Sequence, residues 1–257
     1  MAVITFLSDF GMDDHYVAAV KGKIMGMNPD QQVIDISHTV NPFDISHGAF
    51  LLKSVFRDFP EGTVHLVSVD GLREKSSGIA LELQGHFFVG FDCGLFSMIS
   101  DVRPEKMVEV DLGGSVFPAK DVLAAVAVGL AGNKKMESLG NELSQMKELF
   151  ARQVKVTKRE IAGNVMNVDH FGNLITNITK FDFEKILEIN GGSVRYQIRF
   201  GREAFGSLHR YYTDVESGDC YVMFNSNGLL QIGINKGNAS QLLGLGTDAP
   251  VHIEFSN

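Results

Sequence analysis

Four short segments concentrate aspartate, asparagine, glycine and aromatic residues where predicted strands end. They are residues 8–11, 41–44, 69–75 and 169–177, the last accompanied by residues 225–228. In open α/β sheets, ligands bind at the carboxyl ends of the strands. A carboxylate at the end of the first strand can accept hydrogen bonds from both hydroxyls of a ribose, so we assign this chemistry to Asp9.

The first two segments also have purely structural interpretations. Asp13 and Asp14 are placed to cap the first predicted helix, and spacing alone favours that role for them. Asp9 lies too far before the helix to cap it well. Phe43 either stacks on a ligand or forms a hydrophobic staple with the helix that follows it.

The other segments are equally open to two interpretations. Asp70 ends a strand and has Arg73 and Lys75 nearby, and these cations would keep its carboxylate ionised. A solvated loop explains the same residues equally well. By composition alone, residues 169–177 and 225–228 are typical of tight turns.

Common catalytic and metal-binding motifs do not occur in the sequence. It has no glycine-rich dinucleotide fingerprint, no phosphate loop, no HExxH and no GxSxG. None of its eight histidines pairs with a third ligand at metal-binding spacing, so we predict no metal site. Asp35 and His38 are close enough to share a helix face or a turn, where a hydrogen bond is favoured over a metal.

Composition excludes several classes of function. The net charge of −8 disfavours non-specific binding to nucleic acid or anionic lipid. The longest strongly apolar stretch, residues 122–131, is far shorter than the ~20 residues that a membrane helix needs. Aspartates at positions 9, 13 and 14 argue against a signal peptide. Two separated cysteines, Cys93 and Cys220, exclude a disulfide framework, and we expect a reducing cytoplasm.

A βαβαβ order of elements positions the first three segments. Strands are predicted at residues 3–7, 33–36 and 63–69, and two helices between them carry apolar residues at helical spacing. These apolar faces comprise Val17, Val20, Ile24 and Met27 in the first helix, and Ala49, Leu52, Val55 and Phe56 in the second. Further strands are predicted at residues 79–83 and 87–89, and a helix at residues 120–130. The order predicts a mostly parallel, doubly wound α/β sheet.

The second half of the chain has a different pattern. From about residue 153 onward, short strands alternate with turn residues, which predicts an antiparallel barrel or sandwich. The predicted strands are residues 154–157, 165–168, 194–200, 221–224, 229–232 and 251–255. A polar stretch at residues 133–147 marks the boundary, so we expect domains at residues 1–150 and 151–257.

The motifs occur in an order that resembles a known family over nearly the whole chain. They are residues 8–17 (Ser-Asp-Phe-Gly-x-x-Asp-x-Tyr-Val), 21–24, 28–29, 35–38, 42–44, 59–65, 69–70, 169–178 and 225–228 with 235–239. The series resembles the S-adenosyl-L-methionine (SAM) hydroxide adenosyltransferases, or SAM hydrolases, which are related to the fluorinase and chlorinase enzymes. The resemblance implies an N-terminal α/β/α nucleoside-binding domain and an all-β C-terminal antiparallel barrel that completes the site.

The reaction implied by this resemblance is attack on the ribose C5′ of SAM, with methionine leaving. Hydrolases use water or hydroxide and yield adenosine, and they need no cofactor, because SAM is the substrate. The resemblance also implies a homotrimer, in which one subunit's N-terminal domain meets the next subunit's C-terminal domain at each site.

The resemblance assigns roles to individual positions. Asp9 matches the ribose-binding aspartate, Phe43 the aromatic residue beside the ribose, and Asp70 the catalytic aspartate of the hydrolases. The remaining substrate-binding candidates come from the second half. Asp169, Phe171 and Asn173 match residues near the methionine amino-acid group, and Tyr212, Ser226 and Asn235 fall in segments that contact adenine and methionine.

Two members of the family's water-activating triad do not match. Pro118 stands where the family has histidine, and residues 71–77 form a shorter loop with Ser76 nearest to the arginine position. Arg73 or Lys75 is the candidate substitute for that arginine. The family's Asp-Asn-Gly also reads Asp-Cys-Gly at residues 92–94.

These departures leave three hypotheses for function. The first is a slow SAM hydrolase, and the second is a SAM- or adenosine-binding protein without turnover that acts as a sensor or sink. Pro118 and the short loop favour the second, whereas Asp70 and the intact binding segments favour the first. A halogenase ranks third, because an ionised Asp70 would repel a halide at ~4 Å by several kcal/mol.

Overall fold

The computed structural model describes residues 2–71, 77–192 and 194–256. The chain divides into two compact units, Met1–Ala151 and Arg152–Asn257. Each unit buries a hydrophobic core of its own.

The first unit contains a mixed, mostly parallel sheet and helices. Its strands are β1 (Ile4–Ser8), β2 (Val33–Ser37), β3 (Val64–Ser68), β4 (Gly78–Leu83), β5 (His86–Phe91) and β6 (Lys106–Val110). Its α-helices are α1 (Tyr16–Met27), α2 (Ile45–Val55) and α3 (Ala124–Ala131). The strand order is β2-β1-β3-β5-β4-β6, in which β2, β1, β3 and β5 run parallel and β4 is antiparallel to both of its neighbours. The predicted α/β sheet is therefore confirmed.

Burial explains why these residues form the central strands. All five residues of β1 and of β3 are buried, as expected for parallel strands covered on both faces. Helix α1 buries Val17, Val20 and Ile24. Three of the four predicted apolar residues therefore form its buried face, whereas Met27, the last residue of the helix, is exposed.

Two details of the helices differ from the sequence prediction. Helix α1 begins after His15 without a side-chain cap, so the capping role expected for Asp13 and Asp14 is wrong. The helix predicted at residues 120–130 begins with a π-helical turn, Ala119–Leu123, and continues as α3.

The second unit is built on an eight-stranded antiparallel, barrel-like sheet. Its strands are β7 (Lys155–Val156), β8 (Glu160–Val168), β9 (Leu174–Thr179), β10 (Arg195–Phe200), β11 (Glu203–Phe205), β12 (Cys220–Phe224), β13 (Leu229–Ile234) and β14 (Pro250–Ser256). The strand order is β11-β10-β14-β8-β9-β13-β12, and β7 pairs with β8. The predicted antiparallel β architecture is confirmed.

This unit also contains elements that the sequence analysis did not predict. Helices α4 (Lys180–Ile189) and α5 (Ala239–Leu243) interrupt the strands. Thr179 caps α4 by accepting a hydrogen bond from the Asp182 backbone N–H, and Phe183 and Ile186 bury one helix face. Strand β9 occupies part of residues 169–177, which composition alone had suggested to be turns.

Among the described residues, none of the helices combines the length and the apolar character needed to cross a bilayer.

Candidate active site

Three predicted site residues of the first unit meet at the carboxyl edge of its sheet. Asp9 follows β1, Phe43 lies between β2 and α2, and Asp70 follows β3. Asp9 Oδ2 accepts hydrogen bonds from the backbone N–H groups of Phe43, at 3.0 Å, and Asp70, at 3.1 Å. One carboxylate oxygen therefore joins the loops that follow three neighbouring parallel strands.

The two residues that donate to Asp9 have left-handed backbone conformations. Phe43 has φ 64° and Asp70 has φ 50°, values that side chains with a Cβ rarely adopt. Such conformations cost about 1–3 kcal/mol each and persist only where the surroundings impose them. Hydrogen bonds to an ionised carboxylate are about twice as strong as neutral ones, so Asp9 is positioned to hold both conformations. Within the described residues, its other oxygen, Oδ1, makes no hydrogen bond and is available to a ligand.

Phe43 is presented to solvent rather than packed on the helix. Asp44 is the N-cap of α2, accepting from the His47 N–H at 2.9 Å, which places Phe43 one residue before the cap. A staple would bury the Phe43 ring against the first turn, but the side chain is 71% exposed. The staple interpretation is therefore wrong, and the ring is free to stack on a ligand.

Asp70 lies in a buried environment, with only 7% of its surface exposed. The neighbouring Cys93 thiol lies 3.8 Å from the Val69 carbonyl oxygen. Burial, followed by the charges of Asp70 and Asp92, raises the pKa of Cys93, so this thiol stays neutral beside the carboxylate. Arg73, Lys75 and Ser76, the residues considered for the missing arginine, lie outside the described residues.

The segment that carries Pro118 packs against the loop of Asp9. The Phe117 ring lies 5.7 Å from the ring of Phe10 and 5.6 Å from that of Tyr16, both in edge-to-face contacts. Pro118 comes next, is buried and begins the π-helical turn. Pro118 is thus close in sequence to a contact with the Asp9 loop, and its side chain has no group that donates, accepts or titrates.

A buried polar network, which the sequence did not predict as a whole, holds the loop that contains Asp9. His38 Nδ1 lies 2.7 Å from Ser8 Oγ, which also accepts from the Phe10 N–H at 3.5 Å. The His38 carbonyl accepts from the Gly11 N–H at 2.7 Å. Both contacts tie His38 to the segment that contains Asp9.

Asp35 completes this network from strand β2. Its Oδ1 lies 3.1 Å from His38 Nε2, and its Oδ2 pairs with Lys21. The two residues lie in and just after a strand, so a shared helix face is wrong, whereas the expected contact between them is present. Burial, chiefly, lowers the pKa of His38, which favours a neutral ring that accepts from Ser8 at Nδ1, whereas Nε2 lies near Asp35 Oδ1 without hydrogen-bond geometry. Ser8 is fully buried, so this Ser-His-Asp series does not present a nucleophile.

In the second unit, Asp169, Phe171 and Asn173 form one compact loop between β8 and β9. Asp169 Oδ1 accepts from the backbone N–H groups of Phe171 and Asn173, both at 2.9 Å, and Oδ2 accepts from Asn173 Nδ2 at 2.8 Å. Gly172 adopts φ +83°, and a Cβ there would lie 2.2 Å from Asn238 Cγ. The loop holds its carboxylate rigidly and leaves the Phe171 ring 74% exposed.

The other three candidates of this unit are more dispersed. Tyr212 opens a 3₁₀ turn, Tyr212–Asp214, and is exposed. Asn235 follows β13 and donates through Nδ2 to the Val215 carbonyl at 2.9 Å, just beyond that turn. Ser226 is exposed in the turn before β13, so it and Asn235 flank opposite ends of the same strand.

Tyr221 contacts the Asp169 loop and was missed by the sequence analysis. Its hydroxyl donates to Asn173 Oδ1 at 3.0 Å and accepts from Gln231 Nε2 at 3.2 Å. Burial, chiefly, raises the pKa of this phenol, so it remains protonated and able to donate. A tyrosine inside a strand gives no sequence signal of such a contact, because the contact depends on how β12, β13 and β9 pair.

Taken together, these features define a class of protein. The first unit has a mostly parallel α/β sheet, with carboxylates and an exposed aromatic ring at its carboxyl edge. The second unit is antiparallel and barrel-like, and it has another loop with a carboxylate and an exposed aromatic ring. Carboxylates and exposed aromatic rings are groups that recognise small polar molecules with hydroxyl groups and flat surfaces.

Comparison with known proteins identifies the family. Residues 4–140 match the SAM hydroxide adenosyltransferase N-terminal domain, and residues 163–252 match the corresponding C-terminal domain. The chain therefore belongs to the SAM hydroxide adenosyltransferase family.

Individual relatives agree with this assignment. The chain is 31% identical to the (R)-S-adenosyl-L-methionine hydrolase of Methanocaldococcus jannaschii, over 94% of this chain and 91% of that protein. It is 28% identical to the fluorinase of Nocardia brasiliensis, over 72% of this chain and 73% of that protein. A conserved protein of Thermotoga maritima, whose crystal structure is described as that of an uncharacterized protein, matches with a TM-score of 0.88 and 31% identity, over 98% of this chain and 99% of that chain.

Proposed function

We propose that this protein hydrolyses SAM, with water or hydroxide attacking the ribose C5′ to give adenosine and L-methionine. The observation that carries the proposal is the junction of Asp9, Phe43 and Asp70 at the edge of the first sheet. It supplies a carboxylate oxygen for the ribose, a ring for stacking and a second carboxylate beside them. Family membership and the relatives named as SAM hydrolases support the same activity.

In this proposal each group contacts a different part of the substrate. Asp9 accepts the ribose hydroxyls through Oδ1, and Phe43 lies against the ribose. Asp169 and Asn173 hold the amino-acid end of methionine, with Phe171 between them. Tyr212, Ser226 and Asn235 contact adenine and methionine.

The reaction needs no cofactor for a simple chemical reason. The sulfonium of SAM leaves as a neutral thioether, so no general acid has to protonate the leaving group. The protein must hold a water in line behind C5′ and exclude other water, which is mainly a problem of proximity and orientation. Asp70 is the group that orients this water and takes up part of the positive charge that develops on it.

We expect turnover to be slow. Pro118 cannot accept a proton, and the loss of a well-placed acid–base group typically removes a factor of about 10²–10⁴ in rate. Binding is affected less, because the ribose and methionine segments are present.

The proposal includes a homotrimer in a reducing cytoplasm. In each site, the Asp9 group would come from one chain and the Asp169 group from the next. This arrangement rests on the family resemblance, and the location is supported by the free thiols of Cys93 and Cys220.

Incubation of the purified protein with SAM tests the activity. We expect slow, metal-independent formation of adenosine and methionine, and no 5′-chlorinated product in high chloride. Asp70→Asn should abolish turnover while keeping SAM bound, because asparagine tolerates the left-handed backbone of this position. Asp248→Asn is a matched control, since Asp248 also has a positive φ, 68°, and its carboxylate contacts Arg152 at the surface.

A second candidate function is a SAM- or adenosine-binding protein without turnover. Pro118 favours it, because the position lacks any titratable group. Measurable SAM binding with no adenosine after long incubation would establish this function in place of hydrolysis. Fast turnover by the wild-type protein would instead contradict the expected effect of Pro118.

A further inference from the structure

A chain of hydrogen bonds leads from Gln231 of strand β13 to Asp169. Gln231 Nε2 donates to the Tyr221 hydroxyl, which donates to Asn173 Oδ1. The Asn173 amide in turn donates through Nδ2 to Asp169 Oδ2 at 2.8 Å. Every donor in the chain points toward the Asp169 carboxylate.

The direction of this chain fixes the orientation of the Asn173 amide. An amide turned by 180° would place its NH₂ group against the Tyr221 hydroxyl and its oxygen against the Asp169 carboxylate. The second of these contacts would bring two acceptors together and leave a buried group unpaired, at a cost comparable with a lost hydrogen bond. The Asp169 carboxylate therefore fixes the orientation of the Asn173 amide, and the Tyr221 hydroxyl, by donating to Oδ1, holds the amide in that place.

The packing around Tyr221 leaves no room for another position of its side chain. Tyr221 is 4% exposed and pairs across the sheet with Gly233. A Cβ at Gly233 would lie 2.3 Å from the Tyr221 hydroxyl oxygen and 2.5 Å from Asn173 Oδ1. The missing side chain of Gly233 thus makes the space in which the tyrosine and the asparagine meet.

Asp169 has little acceptor capacity left after these contacts. Its Oδ1 accepts two backbone N–H groups and its Oδ2 accepts one side-chain N–H. A carboxylate offers about four acceptor positions, so one direction on Oδ2 remains for a ligand donor. An ammonium group forms a charge-assisted hydrogen bond with a carboxylate, which is about twice as strong as a hydrogen bond between neutral groups.

We propose that Tyr221 is a positioning residue that, through Asn173, aims the free acceptor direction of Asp169 at the ammonium group of the substrate's methionine part. The inference rests on the proposed function, since it assumes that Asp169 contacts the methionine part of SAM. Tyr221 itself does not contact the substrate. Its removal should therefore weaken binding of ligands that carry the amino-acid group and leave the nucleoside part unaffected.

Calorimetric titration of the intact protein with SAM and with adenosine tests this inference. For Tyr221→Phe we expect a Kd for SAM about three- to tenfold higher, because the hydrogen bond that Tyr221 donates to Asn173 is lost, and a Kd for adenosine within about twofold of wild type. Tyr196→Phe is the matched control, because its hydroxyl also accepts a single hydrogen bond in this unit, from the Leu208 N–H at 3.2 Å. It should change neither Kd.

A double-mutant cycle establishes whether Tyr221 acts through Asn173. In the background of Asn173→Ala, Tyr221→Phe should have no further effect on the SAM Kd. An equal loss of affinity for SAM and adenosine, or a full effect of Tyr221→Phe without the Asn173 amide, would overturn the inference. An unchanged SAM Kd in Tyr221→Phe would overturn the role of Tyr221 but leave the proposed function standing. The absence of SAM binding by the wild-type protein would overturn the proposed function as well.

Discussion

At the scale of single residues, Asp9 combines two tasks in one carboxylate. One oxygen holds the Phe43 and Asp70 backbones, and the other is available to a ligand. The sequence analysis anticipated only the second task, because hydrogen bonds to backbone groups far along the chain leave no trace in residue spacing. The structural task explains why the side chain must be a hydrogen-bond acceptor even before substrate arrives.

Replacement of Asp9 should therefore affect both ligand binding and the loops. We expect Asp9→Ala to bind adenosine at least tenfold more weakly, since the loss of a charged hydrogen bond costs about 1.5–3 kcal/mol. It should also lower the thermal midpoint, because two residues with positive φ lose their acceptor. Titration calorimetry and a thermal melt measure the two effects.

Asp13→Ala provides the comparison for Asp9. Asp13 lies in the same loop, is exposed and does not cap helix α1. Its removal should leave both the adenosine Kd and the melting temperature near those of the wild-type protein. An Asp9→Ala protein that binds adenosine as the wild type does would contradict the ribose assignment.

At the scale of elements, predictions succeeded where apolar periodicity decides the structure. The buried runs of β1 and β3 and most of the apolar face of α1 were predicted correctly, because each buries a pattern that is visible in the sequence; the exception is the exposed Met27. Strand β9 was missed since its residues, Leu174 to Thr179, do not alternate polar and apolar types and include Asn and Thr, which also suit turns. Its buried Thr176 and Asn177 are satisfied by partners far away in sequence, which no local pattern reveals.

A polar chain also crosses the central strands of the first sheet. Thr5 of β1 pairs in register with His65 of β3, and Thr5 Oγ1 lies 2.7 Å from His65 Nδ1. His65 Nε2 then lies 3.2 Å from Nδ1 of His86, the first residue of β5. Burial, followed by the proximity of His86, lowers the pKa of His65 to about 3. The neutral ring is thus the form that the folded sheet accommodates.

The free energy of unfolding should consequently fall as the solution becomes acidic. Between the unfolded pKa of 6.5 and the folded pKa of about 3, the unfolded chain binds a proton at His65 that the folded chain does not. Stability is fully present above pH 6.5 and declines below it by up to about 1.4 kcal/mol per pH unit for this group. Denaturant titrations at pH 7.5, 6, 5 and 4 measure the slope.

His65→Gln removes this titration. It should make the decline of the free energy of unfolding with falling pH shallower by up to about 1.4 kcal/mol per pH unit, whatever its effect on stability at neutral pH. His170→Gln, at an exposed histidine of the second unit, should leave the slope unchanged. If the His65→Gln protein loses stability with falling pH as steeply as the wild type does, groups other than His65 cause the acid sensitivity.

At the scale of the whole molecule, the chain consists of two units with separate cores and separate groups of candidate residues. Asp9, Phe43 and Asp70 belong to the first unit, whereas Asp169 and Asn173 belong to the second. The change from helical periodicity to short strands near residue 153 gave the sequence analysis its two-part architecture. Residue patterns carry no information about which copies of the two units share a site, because that depends on the symmetry of the assembly.

The proposed trimer makes a quantitative prediction about mixed assemblies. Asp9→Ala disables the first-unit group and Asn173→Ala disables the second-unit group, so neither protein alone should bind SAM at wild-type affinity. Suppose that each site joins groups from two chains. A site in a mixed trimer is then intact when an Asn173→Ala chain supplies the first-unit group and an Asp9→Ala chain supplies the second-unit group. In equal random mixtures this combination arises in about a quarter of sites.

Co-expression of the two variants with different affinity tags, purification through both tags and titration with SAM measure this fraction. Because binding is counted rather than turnover, the result does not depend on how fast the protein hydrolyses SAM. Shared sites would be supported if SAM binds with wild-type affinity at about one site for every four chains. The fraction should be somewhat higher once the two tags have removed the unmixed trimers. Sites formed within one chain would instead give no wild-type-affinity binding in any mixture, since every chain carries one disabled group. Sedimentation of the wild-type protein as a stable monomer at micromolar concentration would contradict the trimer directly.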